Sequence, residues 1–275
     1  MAPRITTHDP EKYPVLNQQD EPIIDKGIKK AETGFDSDHD SSSDEGDIEK
    51  DTSVDASKFA PNRVFYILRH NLFSKEVNII DITSSLTAPI ANDEITDEFR
   101  DNARSLSENK SLAANPVYRL RGKHWYSSEM TMMDLQSAED VATWKHGAAS
   151  FSKAFLSFPA QSPHSSHPIT MAPVKWYKRT NEWVKDSITY SWRCNSKYKA
   201  NRMTLLKKVG PKQVVVGRYA QRWGSWITGG VLLVDAREED EALAVLTACV
   251  MLRRMQQRAA ERSKYSGGGG GGGGE

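Results

Sequence analysis

Apolar residues in this chain follow two different periods. Over residues 62–235 they alternate with polar ones in short runs, the pattern of half-buried strands. The sharpest case sets Ile188, Tyr190, Trp192 and Cys194 on one face against Ser187, Thr189, Ser191 and Arg193 on the other. Besides this run, ten others predict strands: RVFYILRH, KEVNIIDI, PVYRLRG, HWYSSEMTMMD, EDVATWKHG, PVKWYKR, EWVKD, RMTLLKKV, KQVVVGRYA and SWITGGVLLVD. NLFS and VGPK lie between neighbouring runs and predict hairpin turns. Residues 92–115 and 157–170 are long and polar, and predict surface loops, the first partly helical.

The run EALAVLTACVML, residues 241–252, breaks the alternation. Leu243, Val245, Leu246, Val250, Met251 and Leu252 point all around a helix axis, so the helix must be enclosed by lipid or by protein. Roughly 11 residues span about 16 Å, half the ~30 Å of a bilayer core. Glu238, Glu239, Asp240 and Glu241 precede the run and Arg253, Arg254 and Arg258 follow it, which suits a helix macrodipole. Asp235 and Glu238 predict a capping-box-like start. The expectation is a helix over about 238–262, buried in protein.

Antiparallel strands in such number lose their exposed edges by closing into a ring. A barrel of about twelve strands is wider than wall side chains can fill, and the apolar helix is the available filling. The sequence thus predicts a mainly β fold, a closed antiparallel barrel of about twelve strands around a buried C-terminal apolar helix.

Charge then divides the chain. Residues 1–57 carry 15 acidic and 6 basic side chains, and the rest 21 acidic and 31 basic, so a net of +1 conceals an acidic tail on a basic body. DSDHDSSSDEGDIEKD cannot bury enough apolar area to offset its ordering entropy, which predicts a disordered tail over 1–57. The glycine run within 263–275 predicts a second disordered tail, leaving 58–262 as the barrel domain. MAPRITTHDPEKYPVLN has no apolar signal core, and Cys194 and Cys249 fall on buried-type positions. Both point to reduced structural thiols in a cytoplasmic protein, with peripheral membrane or nuclear placement as the variants.

FYILRHNLFSKEVNIIDIT, DVATWKHG and WITGGVLLVDAREEDEALAVLTACVMLRRMQQR, in that order over residues 58–262, resemble the tubby C-terminal-like superfamily. That superfamily includes the tubby domain, phospholipid scramblases and LURP-one-related proteins, and the likeness is closest to its fungal members. The resemblance implies a barrel of roughly twelve strands threaded by its C-terminal helix. It also implies phosphoinositide binding by basic residues outside the barrel. The tubby C-terminal signature, the scramblase calcium segment and the palmitoylated cysteine stretch have no counterpart here.

The candidate chemistry is a basic face. Residues 110–222 hold 19 basic and 6 acidic side chains, and the seven tryptophans lie between Trp125 and Trp226. Lys175, Lys178, Arg179, Lys197, Lys199, Arg202, Lys207 and Lys208 are the expected site for anionic phospholipid headgroups, phosphoinositides among them. Basic residues among aromatics also suit single-stranded nucleic acid, and a scramblase-like lipid handler or a protein-interaction scaffold are further readings. The plain alternative is a wall filled by Trp and Tyr with Lys and Arg as its solvated outside. In the tail, Ser37, Ser41 and Ser42 each have an acid three residues on, which predicts phosphorylation sites. DSDHDSSSDEGD lacks the glycine and the bidentate glutamate of an EF-hand loop, and HSSH (His164 to His167) lacks further zinc ligands. With neither a GxSxG elbow nor a phosphate-cradling loop, the expectation is a non-enzymatic binding module without metal or cofactor.

Overall fold

The computed structural model describes residues 51–70, 74–87, 89–90, 94–124, 127–147, 149, 151–195, 201–221 and 228–266, the last five and residue 228 by backbone only. The C-terminal tail beyond 266, Ser37, Ser41, Ser42, Lys197 and Lys199 lie outside the described residues.

Twelve strands close the barrel. They are β2 (Arg63–His70), β3 (Glu76–Asp81), β4 (Tyr118–Gly122), β5 (Glu129–Asp134), β6 (Glu139–His146), β7 (Ala154–Ser157), β8 (Ile169–Pro173), β9 (Asn181–Lys185), β10 (Ile188–Cys194), β11 (Arg202–Val209), β12 (Lys212–Gln221) and β13 (Thr228–Val234). Each pairs antiparallel with its successor, and β13 turns back onto β2 with Leu232 opposite Phe65. A short β1 (Val54–Asp55) pairs in parallel with Gln213 and Val214, along the part of β12 that β13 does not reach. Asp186 and Ser187 take positive φ (50° and 65°) in the two-residue turn between β9 and β10, as a tight hairpin between twisted strands requires. Gly210 does the same at the β11–β12 turn, with φ 60°.

The helix α3 (Glu241–Ser266) runs through the bore. Every residue from 242 to 252 is buried to 1% exposure or less, in one cluster with the inward residues of β2 to β13. Ala242, Ala244, Ala248 and Cys249 let the wall approach closely, while Leu243, Leu246, Val250 and Leu252 fill it. One polar pair crosses this core: Trp192 Nε1 donates to Thr247 Oγ1 at 3.0 Å, and that hydroxyl donates to Leu243 O at 2.8 Å. The buried indole N–H and the buried hydroxyl therefore satisfy each other.

Several expectations need correction. The helix starts at Glu241 and is capped by Asp240, whose Oδ1 accepts from Leu243 N–H at 2.8 Å. Asp235 instead closes a turn ahead of it, accepting from Arg237 and from Ala60 N–H. PVKWYKR is not a strand: β8 ends at Pro173, and residues 174–180 form the β8–β9 turn. Two strands, β7 and β8, were not among the expected runs and overlap only the ends of the loop expected over 157–170, because four or five residues beside a Pro/Ser stretch carry too short an alternation to stand out. Residues 51–57, assigned to the acidic tail, include β1, and Asp51 there pairs with Arg193 at 2.7 Å. The Ser53 hydroxyl and Arg193 hold the Asp51 carboxyl at about 2. The polar stretch 92–115 does more than loop over the surface. It forms α1 (Asp97–Ser107) and α2 (Lys110–Ala113), and Ile95 and Ala103 pack with Phe59 on the outward side of β2, β12 and β13. That second core is why VFYI and VLLV are apolar on both faces.

Candidate functional site

The barrel has two mouths of opposite character. At the near mouth, where α3 begins, four consecutive acids meet four separate cations. Glu238 pairs with Lys207 at 3.2 Å, Glu239 with Lys185 at 3.8 Å, Asp240 with His164 at 2.9 Å and Glu241 with Arg63 at 2.7 Å. Tyr118 adds its hydroxyl to Glu241 at 3.2 Å. Hydrogen bonding to Asp240 raises the His164 imidazole above its ordinary range. Burial would raise the Asp240 carboxyl, but His164 and the Leu243 N–H outweigh it and hold it low. The acids expected to serve the helix dipole thus also clamp α3 to the barrel rim, and His164 of HSSH is one jaw of that clamp.

The six described basic residues of the expected face do not form one surface. Arg202 sits at the far end of β11, paired with Glu94 and, at 3.0 Å, with Asp97. Lys207 and Lys208 are at the near end, about 20 Å away at ~3.3 Å per residue, and Lys207 is engaged by Glu238. Lys178 and Arg179 are buried, 4% and 7% exposed, so neither belongs to an outer face. Lys175 and Lys208 are exposed, on opposite mouths. Charge density along the sequence was therefore not charge density in space, because a closed meander sends successive basic residues to different mouths and faces.

A different constellation gathers at the far mouth. Trp144, Trp183 and Trp192 fill the bore as a wall of aromatics should, but Trp176 is 75% exposed and Tyr177 51%. The two rings meet edge to face at 5.5 Å on the tip of the β8–β9 turn, and Lys175 Nζ lies 5.8 Å from the Tyr177 ring. Val174 is exposed beside them, Phe151 is exposed in the β6–β7 turn, and Phe155 and Val184 are exposed on β7 and β9. Strand register puts Phe155 opposite Thr170, two residues from the Ala172–Glu182 pair that places Val184 on the same outer row. Residues 143–181 contain five lysines and arginines and no acid.

The tip is held rigidly from inside. Val174 N–H donates to Thr180 O at 3.1 Å and Lys178 N–H to Lys175 O at 3.0 Å. Arg258 of α3 donates to Trp176 O and Lys178 O, and Arg254 to Asn181 Oδ1, Ser152 O and Met171 O. Sequence reasoning missed this arrangement by taking PVKWYKR for a strand. The available signal was the proline at its start, which cannot donate to a continuing ladder. Between β11, β12 and the residues before α1, a cavity lined by Arg202, Arg218 and Tyr219 has room for about one water. It is too small for a ligand.

Compared with protein-family models, curated proteins and solved structures, the chain has no match in any of the three. No described helix is long and apolar enough to cross a membrane.

Proposed function

We propose that this barrel is a non-enzymatic module that docks on anionic membrane surfaces, with the Trp176–Tyr177 turn as its point of contact. The observation that carries the reading is a braced tip that exposes Trp176 and Tyr177, with exposed Lys175 in the same turn and no acid over residues 143–181. Trp and Tyr favour the headgroup level of a bilayer, where an apolar ring and a polar edge are both satisfied. Each lysine near an anionic surface adds about 1 kcal/mol. The resemblance to the tubby-like superfamily belongs to the same proposal and agrees in ligand class, though the contact residues differ from those expected by sequence.

Trp176 leaves three-quarters of its surface in water. Sinking roughly 75 Å² of that area into the interface is worth about 2 kcal/mol, or ~25-fold in affinity. The test is co-sedimentation of the full chain with phosphatidylcholine vesicles containing or lacking phosphatidylserine, at low and high salt. Trp176→Ala should weaken binding by about that factor, and salt should weaken both proteins. Equal sedimentation of wild type and Trp176→Ala would end the proposal. Preference for an oligonucleotide over vesicles would replace it with a nucleic-acid reading.

A further inference from the structure

The far mouth holds buried positive charge that the fold leaves unneutralised. Arg253 and Arg254 are 6% and 4% exposed, in the middle of α3 rather than in its last turn, so helix-end carbonyls do not reach them. Arg254 is satisfied by neutral acceptors only, among them Met171 O at 3.0 Å. In Arg253 the orphaned atom is Nε. That Nε is buried without an acceptor, and among the described residues no hydrogen bond or ion pair reaches the guanidinium. Burial pulls its pKa down to about 10, so it remains charged at neutral pH.

Next to it, at the end of β6, is a second unmet group. His146 Nδ1–H donates to Gly147 O at 2.7 Å, so Nε2, buried without a hydrogen bond among the described residues, is the acceptor of the ring. Burial lowers the His146 pKa, and the positive charges of Arg253 and Arg254 lower it further, which keeps the ring neutral at neutral pH. A buried guanidinium without a counter-charge is strongly unfavourable. At the near mouth each acid has its own basic partner, whereas among the described residues no carboxylate pairs with Arg253 or Arg254.

We infer that the far mouth contains an oxyanion site in which Arg253 takes a phosphate-type group. A guanidinium presents two parallel N–H groups that match a tetrahedral oxyanion. The group arrives either as a free ion or as the headgroup of a phospholipid. The site stands on Arg253 alone, whether or not the Trp176 tip meets a membrane.

The experiment is thermal melting of the full chain in sodium chloride, sodium phosphate and sodium sulfate at matched ionic strength. Inorganic phosphate at a hundredfold over its Kd should raise Tm saturably by about 5–10 °C. Arg253→Met should abolish that shift and melt above wild type in chloride, because the unpaired charge is gone. Lys208→Met, an exposed change at the other mouth, should keep the full shift. Arg253→Lys retains a point charge without the fork and should keep less than half; it carries the comparison if Arg253→Met does not fold. An equal phosphate shift in wild type and the Arg253 variants, or no shift in wild type, overturns the site. Vesicles with and without a phosphoinositide separate the two sources. If the headgroup is the ligand, Arg253→Met loses binding to phosphoinositide vesicles, whereas a free-ion site leaves vesicle binding unchanged. Trp176→Ala should weaken vesicle binding and leave the phosphate shift intact, so the two proposals fail separately.

Discussion

Shortening Leu246 tests whether the helix is the core of the barrel. Leu246 is 0% exposed and lies midway along the enclosed stretch of α3, surrounded by the wall cluster. Leu246→Ala removes methyl and methylene groups worth about 2 kcal/mol in transfer from water. A residual cavity of roughly 75 Å³ adds about 2 more at ~24 cal/mol per Å³, for a total of about 4 kcal/mol. In a domain of this size that lowers Tm by roughly 8–16 °C. Calorimetry on the full chain reads the shift, with the exposed Lys208→Ala as a control that should change Tm by little. Leu246→Asp buries an unpaired charge instead and should leave the protein insoluble or unfolded. A fall of less than about 3 °C for Leu246→Ala, or a soluble Leu246→Asp variant that melts cooperatively, would refute an enclosed α3.

Two further changes probe the polar contacts that fix α3 in place. Thr247→Val keeps the volume but leaves Trp192 Nε1 buried without its acceptor, which costs about 1–3 kcal/mol; an unchanged urea midpoint followed by tryptophan fluorescence would remove that bond from the account. The His164–Asp240 clamp predicts a pH dependence. His164 is raised in the fold, so its stabilisation is complete below its ordinary ~6.5 and is lost as pH rises through the higher folded value. Asp240 is lowered, so its share is present above ~3.9 and is lost only as pH falls through its lower folded value. The Tm difference between wild type and His164→Gln should therefore be largest between about pH 4 and 6.5 and shrink toward pH 9. A difference independent of pH would show that the pair is not charged.

Strands with two unlike faces, and the longer apolar strands β2 and β13, were legible in the sequence, whereas the short and nearly uniform β7 was not. In β10 the inward Tyr190, Trp192 and Cys194 alternate with outward residues as the run SITYSWRC announces. In β7, Ala154 and Leu156 point inward while Phe155 is exposed, so AFLS is nearly uniform in hydrophobicity and only four residues long. The second core under α1 was hidden for the opposite reason. Its helix is mostly polar, and the apolar outward positions it covers, Val64, Tyr66, Val231 and Leu233, lie in runs that fit any buried strand. Pairing across 175 residues, as between Asp235 and Ala60, has no local signature at all.

The site was harder to see because the same residues admit two electrostatic readings. Basic residues just after an apolar helical run read as charges that complement the C-terminal dipole, yet the helix, expected to run to about 262, ends at Ser266, well beyond Arg253 and Arg254. Continuation moves them from a helix end into the bore. What the sequence does carry is the absence of any acid over residues 143–181, the span whose strands and turns surround the far mouth. An arginine buried against those elements has only carbonyls, amides and imidazole to meet. Arg254 finds enough of them and Arg253 does not. At the near mouth each of the four acids ahead of α3 is held by its own basic partner. The far mouth keeps its positive charge, and the rigid aromatic tip stands beside it because Arg258, one turn further along the same helix, holds the tip's carbonyls. A single helix thus plugs the barrel, braces the tip and supplies the guanidinium, so a change in the register of α3 would move all three together.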